Sequence, residues 1–259
     1  MTLSDAQLAR YARQILLDDV GEAGQERLRA ARVLVVGAGG LGVPVASYVA
    51  AAGVGTVGIA DGDTIAVSNL PRQIAYTPSD LGLSKTERLR ERLLSNNPDV
   101  TIVEHPRLTR DNVEGIVAQY ELVADGCDNF PTRYLVNAAC VQARKPLVSG
   151  ALSRFTGELA VFVPHGPCYQ CLFPKMPDRQ QAQGCVEGGI LGPMAGLLGC
   201  WQALEVLKQM LGIPGRLENE LLIIDGLNHV TRRIRLRKDS DCPTCGGNRG
   251  EDPVLRATA

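Results

Sequence analysis

The sequence predicts an α/β fold: a Rossmann-like, mostly parallel sheet that is flanked by helices and extended by antiparallel strands. Up to Gly150, short apolar runs alternate with helical patterns, and a glycine-rich turn follows the first run. Strands and helices that alternate over short links need right-handed crossovers, which produce a parallel sheet. After Gly150, three strand patterns occur with one helical pattern among them, and this spacing favours an antiparallel extension.

The individual elements follow from hydrophobic periodicity. Ser4 and Gln7 have the spacing of a capping box, which predicts a helical segment over residues 1–31. Strands are predicted at 32–36, 56–60, 100–104, 121–125, 146–149, 158–163, 221–224 and 231–237. Helices are predicted at 41–52, 86–96, 111–118, 132–143 and 193–211. Residues 32–247 then form one domain with a cysteine-bearing C-terminal part, and residues 248–259 form a flexible tail.

The composition is that of an ordinary globular protein, with 45% hydrophobic and 21% charged residues in 259 positions. A net charge of −1 provides no basic surplus for binding a nucleic acid backbone. The polar N-terminus lacks a signal-peptide pattern, and the apolar stretch 190–211 contains Glu205 and Lys208, which are costly within a bilayer. We therefore expect a cytoplasmic protein without nucleic acid or membrane partners.

The glycine-rich turn 37–42 follows a predicted strand and precedes a predicted helix. Gly37 permits the tight turn, Gly39 lets a phosphate approach the backbone, and Gly42 lets helix and strand pack closely. The phosphate then lies at the helix N-terminus, where free N–H groups and the helix dipole favour an anion. Asp61 ends the next strand, where an acid binds ribose hydroxyls. This pattern predicts a nucleotide site but leaves NAD and ATP equally admissible.

Polar and charged residues in later loops favour ATP. They are Asp61, Asp63, Asn69, Arg72, Lys85, Asp128 and Asn129. Attack of a carboxylate on the α-phosphate of ATP brings two anions together and releases pyrophosphate. Arg72 and Lys85 are suited to neutralise the triphosphate, and Asp128 is suited to hold Mg²⁺, which prefers oxygen ligands. A C-terminal carboxylate is already ionised at neutral pH, so the reaction needs positioning and charge stabilisation but no general base.

Two pairs of cysteines have the spacing of a zinc site, namely Cys168 with Cys171 and Cys242 with Cys245. One such pair in a cytosolic chain is also compatible with a redox centre. Two pairs can supply four thiolates to one tetrahedral zinc, and a filled shell leaves no open position for catalysis. The spacing therefore predicts a structural zinc site.

Taken together, these motifs resemble the MoeB/ThiF/HesA family, the bacterial relatives of ubiquitin-activating enzymes. The resemblance extends over nearly the whole chain and rests on the segments 10–14, 37–42, 61–63, 68–73 and 127–129, on Lys85, on Cys185 and on the paired cysteines. It implies that residues 32–247 are an ATP-binding adenylation domain. It further implies a homodimer that uses Mg-ATP to adenylylate the C-terminal glycine of a small ubiquitin-like sulfur-carrier protein ending in Gly-Gly.

The resemblance also assigns roles to single residues. Gly40 and Asp61 would line the adenosine site, whereas Asn69, Arg72 and Lys85 would contact the phosphates. Asp128 would bind Mg²⁺. Arg13 matches an arginine that reaches into the partner subunit's nucleotide site, and Cys185 matches a cysteine that in some members is linked covalently to the carrier.

Several points stay open at this level. Relatives usually carry glutamine where this chain has Pro71, and proline removes a backbone donor and fixes φ, so the geometry of this loop is left open. The carrier is MoaD-like or ThiS-like, which places the protein in molybdenum cofactor or thiamine synthesis, and the sulfur donor is expected to be a separate protein. An NAD(P)-dependent oxidoreductase and a tRNA-modifying dehydratase relative are the alternative functions.

Overall fold

The computed structural model describes residues 3–177 and 189–246 of the chain. In chain order, its α-helices are α1 (Asp5–Ile15), α2 (Gly21–Ala30), α3 (Gly42–Ala51), α4 (Lys85–Asn96), α5 (Val113–Val117), α6 (Phe130–Ala143), α7 (Tyr169–Leu172) and α8 (Gly192–Leu211). Its strands are β1 (Arg32–Val36), β2 (Thr56–Ala60), β3 (Thr101–His105), β4 (Leu122–Asp125), β5 (Leu147–Ser153), β6 (Thr156–Phe162), β7 (Glu220–Asp225) and β8 (Val230–Arg235).

One mixed sheet organises the described residues, in the order β3-β2-β1-β4-β5-β6-β7-β8. The five strands from β3 to β5 run parallel, and β6, β7 and β8 continue antiparallel from β5. The predicted α/β fold with an antiparallel extension is therefore confirmed. The order of the parallel part places β1 beside both β2 and β4, and this reversal is the position where nucleotides bind in such sheets.

The buried strands carry the most continuous apolar runs of the sequence. Val33, Leu34 and Val35 in β1 are fully buried, as expected for a central strand that is covered on both faces. Helices α3 and α8 pack on one face, and α5, α6 and α7 pack on the other. Each face carries its own hydrophobic core, and each core includes residues of both the parallel and the antiparallel strands.

The predicted N-terminal helical segment consists of two helices, α1 and α2. Ser4 caps α1 with the expected capping box with Gln7. The helix ends at Ile15, and a turn in which Leu17 O accepts from Val20 N and Gly21 N separates it from α2. The sequence pattern therefore predicts the helical segment but not the turn that divides it.

Trp201, Leu204, Leu207 and Leu211 recur at helical spacing in α8, and this spacing predicts that all four are buried. Leu211 is buried and Trp201 and Leu207 are partly buried, but Leu204 is 54% exposed, so the prediction was wrong for this residue. In the described parts of the chain, no helix is both long and apolar enough to cross a membrane.

Candidate functional site

A cavity of about 480 Å³ opens where the carboxyl ends of β1 and β4 meet. Most of the predicted nucleotide-site residues line it: Gly37, Gly39, Gly40, Asp61, Asp63, Asn69, Arg72, Lys85, Asp128 and Asn129. These residues lie in the loops after β1, β2 and β4, except for Lys85, which is the first residue of α4. The parallel register brings these loops to one edge of the sheet, and this is why separate sequence motifs share one cavity.

The glycine turn depends on two close backbone approaches. Gly37 adopts φ +90°, and a Cβ built on it would lie 3.1 Å from Gly126 O in the loop after β4. A Cβ on Gly42 would lie only 1.7 Å from Gly37 O, so only glycine permits the helix to start there. No side chain caps the N-terminus of α3. The first turn of this helix therefore offers N–H groups and a positive dipole end to a phosphate.

Asp61 fixes the shape of the turn. One carboxylate oxygen accepts a hydrogen bond from Ala38 N at 2.7 Å, and the other accepts from Asp63 N at 2.7 Å. The side chain still lines the cavity, and each carboxylate oxygen can accept a second bond. Asp61 thus joins the turn after β1 to the loop after β2, in addition to its predicted place beside a ribose.

A small ion-pair network lies at the edge of the cavity. The Nζ of Lys85 lies 3.0 Å from Asp63 Oδ2, and Arg107 Nη2 lies 2.5 Å from Asp63 Oδ1. The hydrogen bond from Lys85, followed by the charges of both cations, lowers the pKa of Asp63 below its ordinary value. Arg107 was not predicted, because nothing in its local sequence marks it. The two cations and one carboxylate together carry a net charge of +1, which can attract a triphosphate.

The loop that carries Asn69 and Arg72 begins with the 3-10 turn Val67–Asn69. Asn69 Oδ1 accepts from Ala66 N at 3.0 Å, and Arg72 Nη1 donates to Ser68 O at 2.8 Å. A Cβ on Gly40 would lie 3.5 Å from Arg72 Cγ, which places the stem of this arginine over the glycine turn. The loop is ordered by its own hydrogen bonds, with Pro71 inside it.

Asp128 and Asn129 follow β4 and play different local roles. Asn129 is the N-cap of α6, and its Oδ1 accepts from Thr132 N at 2.9 Å. Asp128 is exposed, and Asn129 Nδ2 donates to its Oδ1 at 3.5 Å. Its carboxylate oxygens are therefore open to the cavity, and a carboxylate of this kind fits Mg²⁺, which binds proteins through few carboxylates and keeps several waters.

A buried ion pair stabilises the loop that bears Asp128. Arg133 Nη1 lies 3.5 Å from Asp125 Oδ2, and both side chains are almost fully buried. Arg133 also donates to Cys127 O at 2.5 Å, to Ser149 Oγ at 2.9 Å and to Gly150 O. Sequence reasoning missed this residue, because its partners come from two separate segments, 125–127 and 149–150. Arg133 ties the chain next to Asp128 to β5.

The cavity continues past β4 toward β5 and β6. Its lining there is Ala151, Leu152, Ser153, Thr156, Glu158, Tyr169, Phe173 and Ile190. Burial raises the pKa of Glu158, and the positive charge of Arg133 opposes that rise. This part is mainly apolar and lies beside the polar part that the glycine turn and Asp128 form. The cavity therefore has room for a nucleotide and for a second substrate next to it.

The structure places one predicted catalytic residue, Arg13, away from this cavity. Arg13 is exposed on α1 and does not line the cavity. Within the part of the chain that the structure describes, its side chain makes no hydrogen bond or ion pair. Cys185 lies outside the described residues.

The four predicted zinc ligands form one cluster. The Sγ atoms of Cys168, Cys171, Cys242 and Cys245 all lie within 4.8 Å of one another. Three of the separations are 4.0 Å (168–171), 3.6 Å (168–242) and 3.3 Å (171–245). A tetrahedral zinc with Zn–S bonds of 2.3 Å separates its sulfurs by about 3.8 Å, so the cluster fits this metal.

Polar groups also support the cluster. Asn137 Nδ2 lies 3.6 Å from Cys168 Sγ, and Asp239 N lies 3.5 Å from Cys171 Sγ. N–H groups directed at the sulfurs suit thiolates better than thiols. The cluster fastens the segment after β6 to the segment after β8, which are 74 residues apart.

Comparison with known proteins settles the family. The model of the ThiF family matches residues 11–244, which include the glycine turn, the cavity residues and three of the four cysteines. The chain belongs to the ThiF family. The predicted resemblance to MoeB/ThiF/HesA proteins is thereby confirmed.

Relatives of this ThiF-family protein include adenylyltransferases and an activating enzyme from distant organisms. It is 47% identical over 263 aligned residues to the sulfur carrier protein adenylyltransferase of Thermus thermophilus, covering 99% of this chain and 96% of the relative. It is 42% identical to the SAMP-activating enzyme E1 of Haloferax volcanii, covering 95% and 92%. It is 48% identical to the mouse adenylyltransferase and sulfurtransferase MOCS3, covering 94% of this chain but only 54% of that protein.

Solved structures support the fold. The microcin C7 biosynthetic enzyme MccB, in complex with N-formylated MccA, superposes with a TM-score of 0.80 at 22% identity, over 92% of this chain and 75% of that one. At this level of identity the match shows that the ThiF-family protein shares the architecture of MccB.

Proposed function

We propose that this ThiF-family protein adenylylates the C-terminal glycine of a small ubiquitin-like sulfur-carrier protein. A carboxylate oxygen of the carrier attacks the α-phosphorus of ATP, the bond from that phosphorus to the bridging oxygen of the β-phosphate breaks, and pyrophosphate leaves. The observation that carries the proposal is the single cavity in which a phosphate-binding turn meets Arg72, Lys85 and Asp128. The names of the relatives, sulfur carrier protein adenylyltransferase among them, support the same activity.

The residues of the cavity divide the work. The turn 37–42 and the N-terminus of α3 hold phosphate oxygens, and Asp61 lies where it can bind the ribose. Asn69 can donate a hydrogen bond to a phosphate oxygen, and Arg72 and Lys85 neutralise the negative charge of the triphosphate and of the leaving pyrophosphate. Because the attacking carboxylate carries no proton, no side chain has to act as a base. Positioning and electrostatic stabilisation then supply the rate enhancement.

Asp128 is proposed to hold Mg²⁺ together with phosphate oxygens and water. A bound Mg²⁺ would supply charge neutralisation at the phosphates. The carboxylate of Asp128 is free to do so, because its only hydrogen bond in the described structure is the long one from Asn129. Asn129 contributes by capping α6 and holding Asp128 at the end of β4.

The mainly apolar end of the cavity is proposed to receive the carrier's C-terminus. A Gly-Gly terminus has no side chains and can therefore pass between Leu152, Phe173 and Ile190 to reach the phosphates. Arg133 offers a buried positive charge beneath this path. The carrier is of the MoaD-like or ThiS-like type, which serves molybdenum cofactor or thiamine synthesis. The sulfur itself comes from a separate donor protein, and the reaction takes place in the cytoplasm.

A homodimer would complete the site with Arg13 from the partner subunit. The segment that bears Arg13 ends in Leu16 and Leu17, which are 73% and 57% exposed. Tyr48 on α3 and Leu204 on α8 are also exposed, and these two helices pack against each other. Exposed large apolar groups of this kind mark interaction surfaces. They favour an interface that leaves Arg13 free to reach another subunit.

The cysteine cluster is proposed to hold a structural Zn²⁺. Four thiolates fill the shell and leave no position for a substrate, so the metal would fasten the two C-terminal segments together. For Cys185, a covalent role toward the carrier stays a proposal that rests on its match to the family.

The product tests the proposal directly. The protein is incubated with Mg-ATP and a small carrier that ends in Gly-Gly, and the intact mass of the carrier is measured. A gain of one adenylate is expected, and a matched carrier that lacks the last glycine should gain none. If neither carrier is modified while the protein binds ATP, the proposed activity is wrong.

A further inference from the structure

We propose that Pro71 is a positioning residue for Arg72, because its missing N–H leaves the carbonyl oxygen of Ser68 free to hold the arginine's guanidinium group. This inference rests on the proposed function, since it concerns how the site holds a triphosphate.

The backbone of the loop shows where the donor is missing. Asn69 N donates to Ala66 O at 2.9 Å, and Leu70 N donates to Val67 O at 3.2 Å, which are successive bonds of a 3-10 turn. Arg72 N donates to Asn69 O at 3.1 Å and resumes the pattern. Between the bonds from Leu70 N and Arg72 N, the 3-10 pattern would place a bond from the N–H of residue 71 to Ser68 O. Proline has no N–H, so the series skips this one acceptor.

The side chain of Arg72 takes the acceptor that is left. Its Nη1 donates to Ser68 O at 2.8 Å, a short bond from a charged donor. The stem of Arg72 lies over Gly40 in the phosphate-binding turn. The side chain of Arg72 is therefore held at two points before a nucleotide binds. Its stem lies on the glycine turn, and its guanidinium group donates to Ser68 O.

Pro71 also fastens the loop to α8. A Cβ on Gly192, the first residue of that helix, would lie 2.3 Å from Pro71 O, so the two backbones are in direct contact. The fixed φ of proline and this contact limit the conformations of the loop. A pre-ordered cation loses less entropy when it binds a phosphate, which favours tighter binding.

Pro71→Ala tests this arrangement, and Pro78→Ala is its matched control. Pro78 begins the nearby 3-10 turn Pro78–Asp80. Alanine at this position also restores a backbone N–H, but this N–H does not compete with a guanidinium group for a carbonyl oxygen. Both substitutions remove a proline and therefore raise the conformational entropy of the unfolded chain by a similar amount. Mg-ATP affinity is measured by calorimetry, and KM and kcat by pyrophosphate exchange. Pro71→Ala should raise both Kd and KM for ATP about three- to ten-fold and leave kcat within about two-fold, the scale of one weakened hydrogen bond. Pro78→Ala should change neither Kd nor KM.

A double-mutant cycle separates positioning from general disturbance of the loop. In an Arg72→Ala background, Pro71→Ala should have no further effect on Kd for ATP, because the group it positions is gone. An equal effect in both backgrounds, or an unchanged Kd in the single variant, would overturn the inference. If the natural protein binds ATP but performs no exchange, the proposed function fails and the calorimetric cycle still tests Pro71. If it does not bind ATP, both fail.

Discussion

The ammonium group of Lys85 lies 3.0 Å from the carboxylate of Asp63, and only 7% of the lysine side chain is exposed. Asp63 lies in the loop after β2 and Lys85 is the first residue of α4, and Lys85 N also donates to Asp63 O at 3.1 Å. The Tyr76 hydroxyl donates to Ala38 O in the glycine turn at 2.8 Å and lies 3.3 Å from Lys85 O, so this pair is joined to the phosphate-binding turn. The lysine is thus held before a nucleotide enters.

The Lys85–Asp63 pair should be insensitive to pH in the physiological range. The pKa of Asp63 is lowered from its ordinary value of 3.8, chiefly by the hydrogen bond from Lys85. A lowered folded-state pKa gives stability that is present above the unfolded value and is lost as pH falls through the folded value. The difference in Tm between the natural protein and Asp63→Asn should therefore stay constant from about pH 5 to 8. A difference that changes sharply near pH 6 would contradict this assignment.

The buried pair of Arg133 and Asp125 should dominate the stability of the loop that bears Asp128. Arg133→Met would leave the fully buried carboxylate of Asp125 without its cation, which costs about 3–5 kcal/mol of unfolding free energy. Arg233→Met is the control, because Arg233 pairs with Glu220 on the surface. The control should cost about 0–1 kcal/mol. Urea unfolding of both variants checks the contrast, and equal losses would count against it.

The cysteine cluster makes a prediction about metal content. Cys245→Ser removes one of four ligands and should lower both the zinc bound per chain and the Tm. Cys200→Ser, in α8 and outside the cluster, should keep zinc and Tm close to natural values. Elemental analysis and thermal unfolding measure the two quantities. A Cys245→Ser protein that keeps full metal and full stability would show that the cluster is not a zinc site.

The proposed dimer makes a prediction about mixed subunits. Arg13→Ala and Lys85→Ala should each abolish pyrophosphate exchange when alone. After equal amounts are unfolded and refolded together, half of the dimers contain both variants, and each of these has one intact site. Exchange should return to about one quarter of the natural activity. No recovery, despite mixed dimers detected by differential tagging, would place Arg13 outside its partner's site.

Much of the site could be predicted from the sequence because its residues lie in short local motifs. Strands β1 and β2 have the predicted bounds, since buried parallel strands leave continuous apolar runs. The glycine turn and the paired cysteines were recognisable because tight backbone approach and metal geometry restrict both residue type and spacing.

Other features depend on contacts between distant segments and leave no local pattern. Arg133 meets Asp125, Cys127 and Ser149 only in the folded sheet. Arg107 reaches Asp63 from the loop after β3. Leu204 has the helical spacing of a core residue but faces outward, because periodicity shows an apolar face and not what covers it. Pro71 departs from the usual motif but is compatible with this site. Proline leaves Ser68 O without a backbone donor, and Arg72 donates to this oxygen instead.

Carrier-dependent exchange of labelled pyrophosphate into ATP tests the central claim most directly, because it requires reversible formation of the acyl-adenylate. We predict exchange by the natural protein only when a carrier ending in Gly-Gly is present. Lys85→Ala and Asp128→Ala should each reduce it at least about 100-fold, the usual loss for a group that stabilises developing charge, while Arg233→Ala leaves it unchanged. Absence of exchange in the natural protein would contradict the adenylylation, and exchange that survives both substitutions would contradict the roles of Lys85 and Asp128.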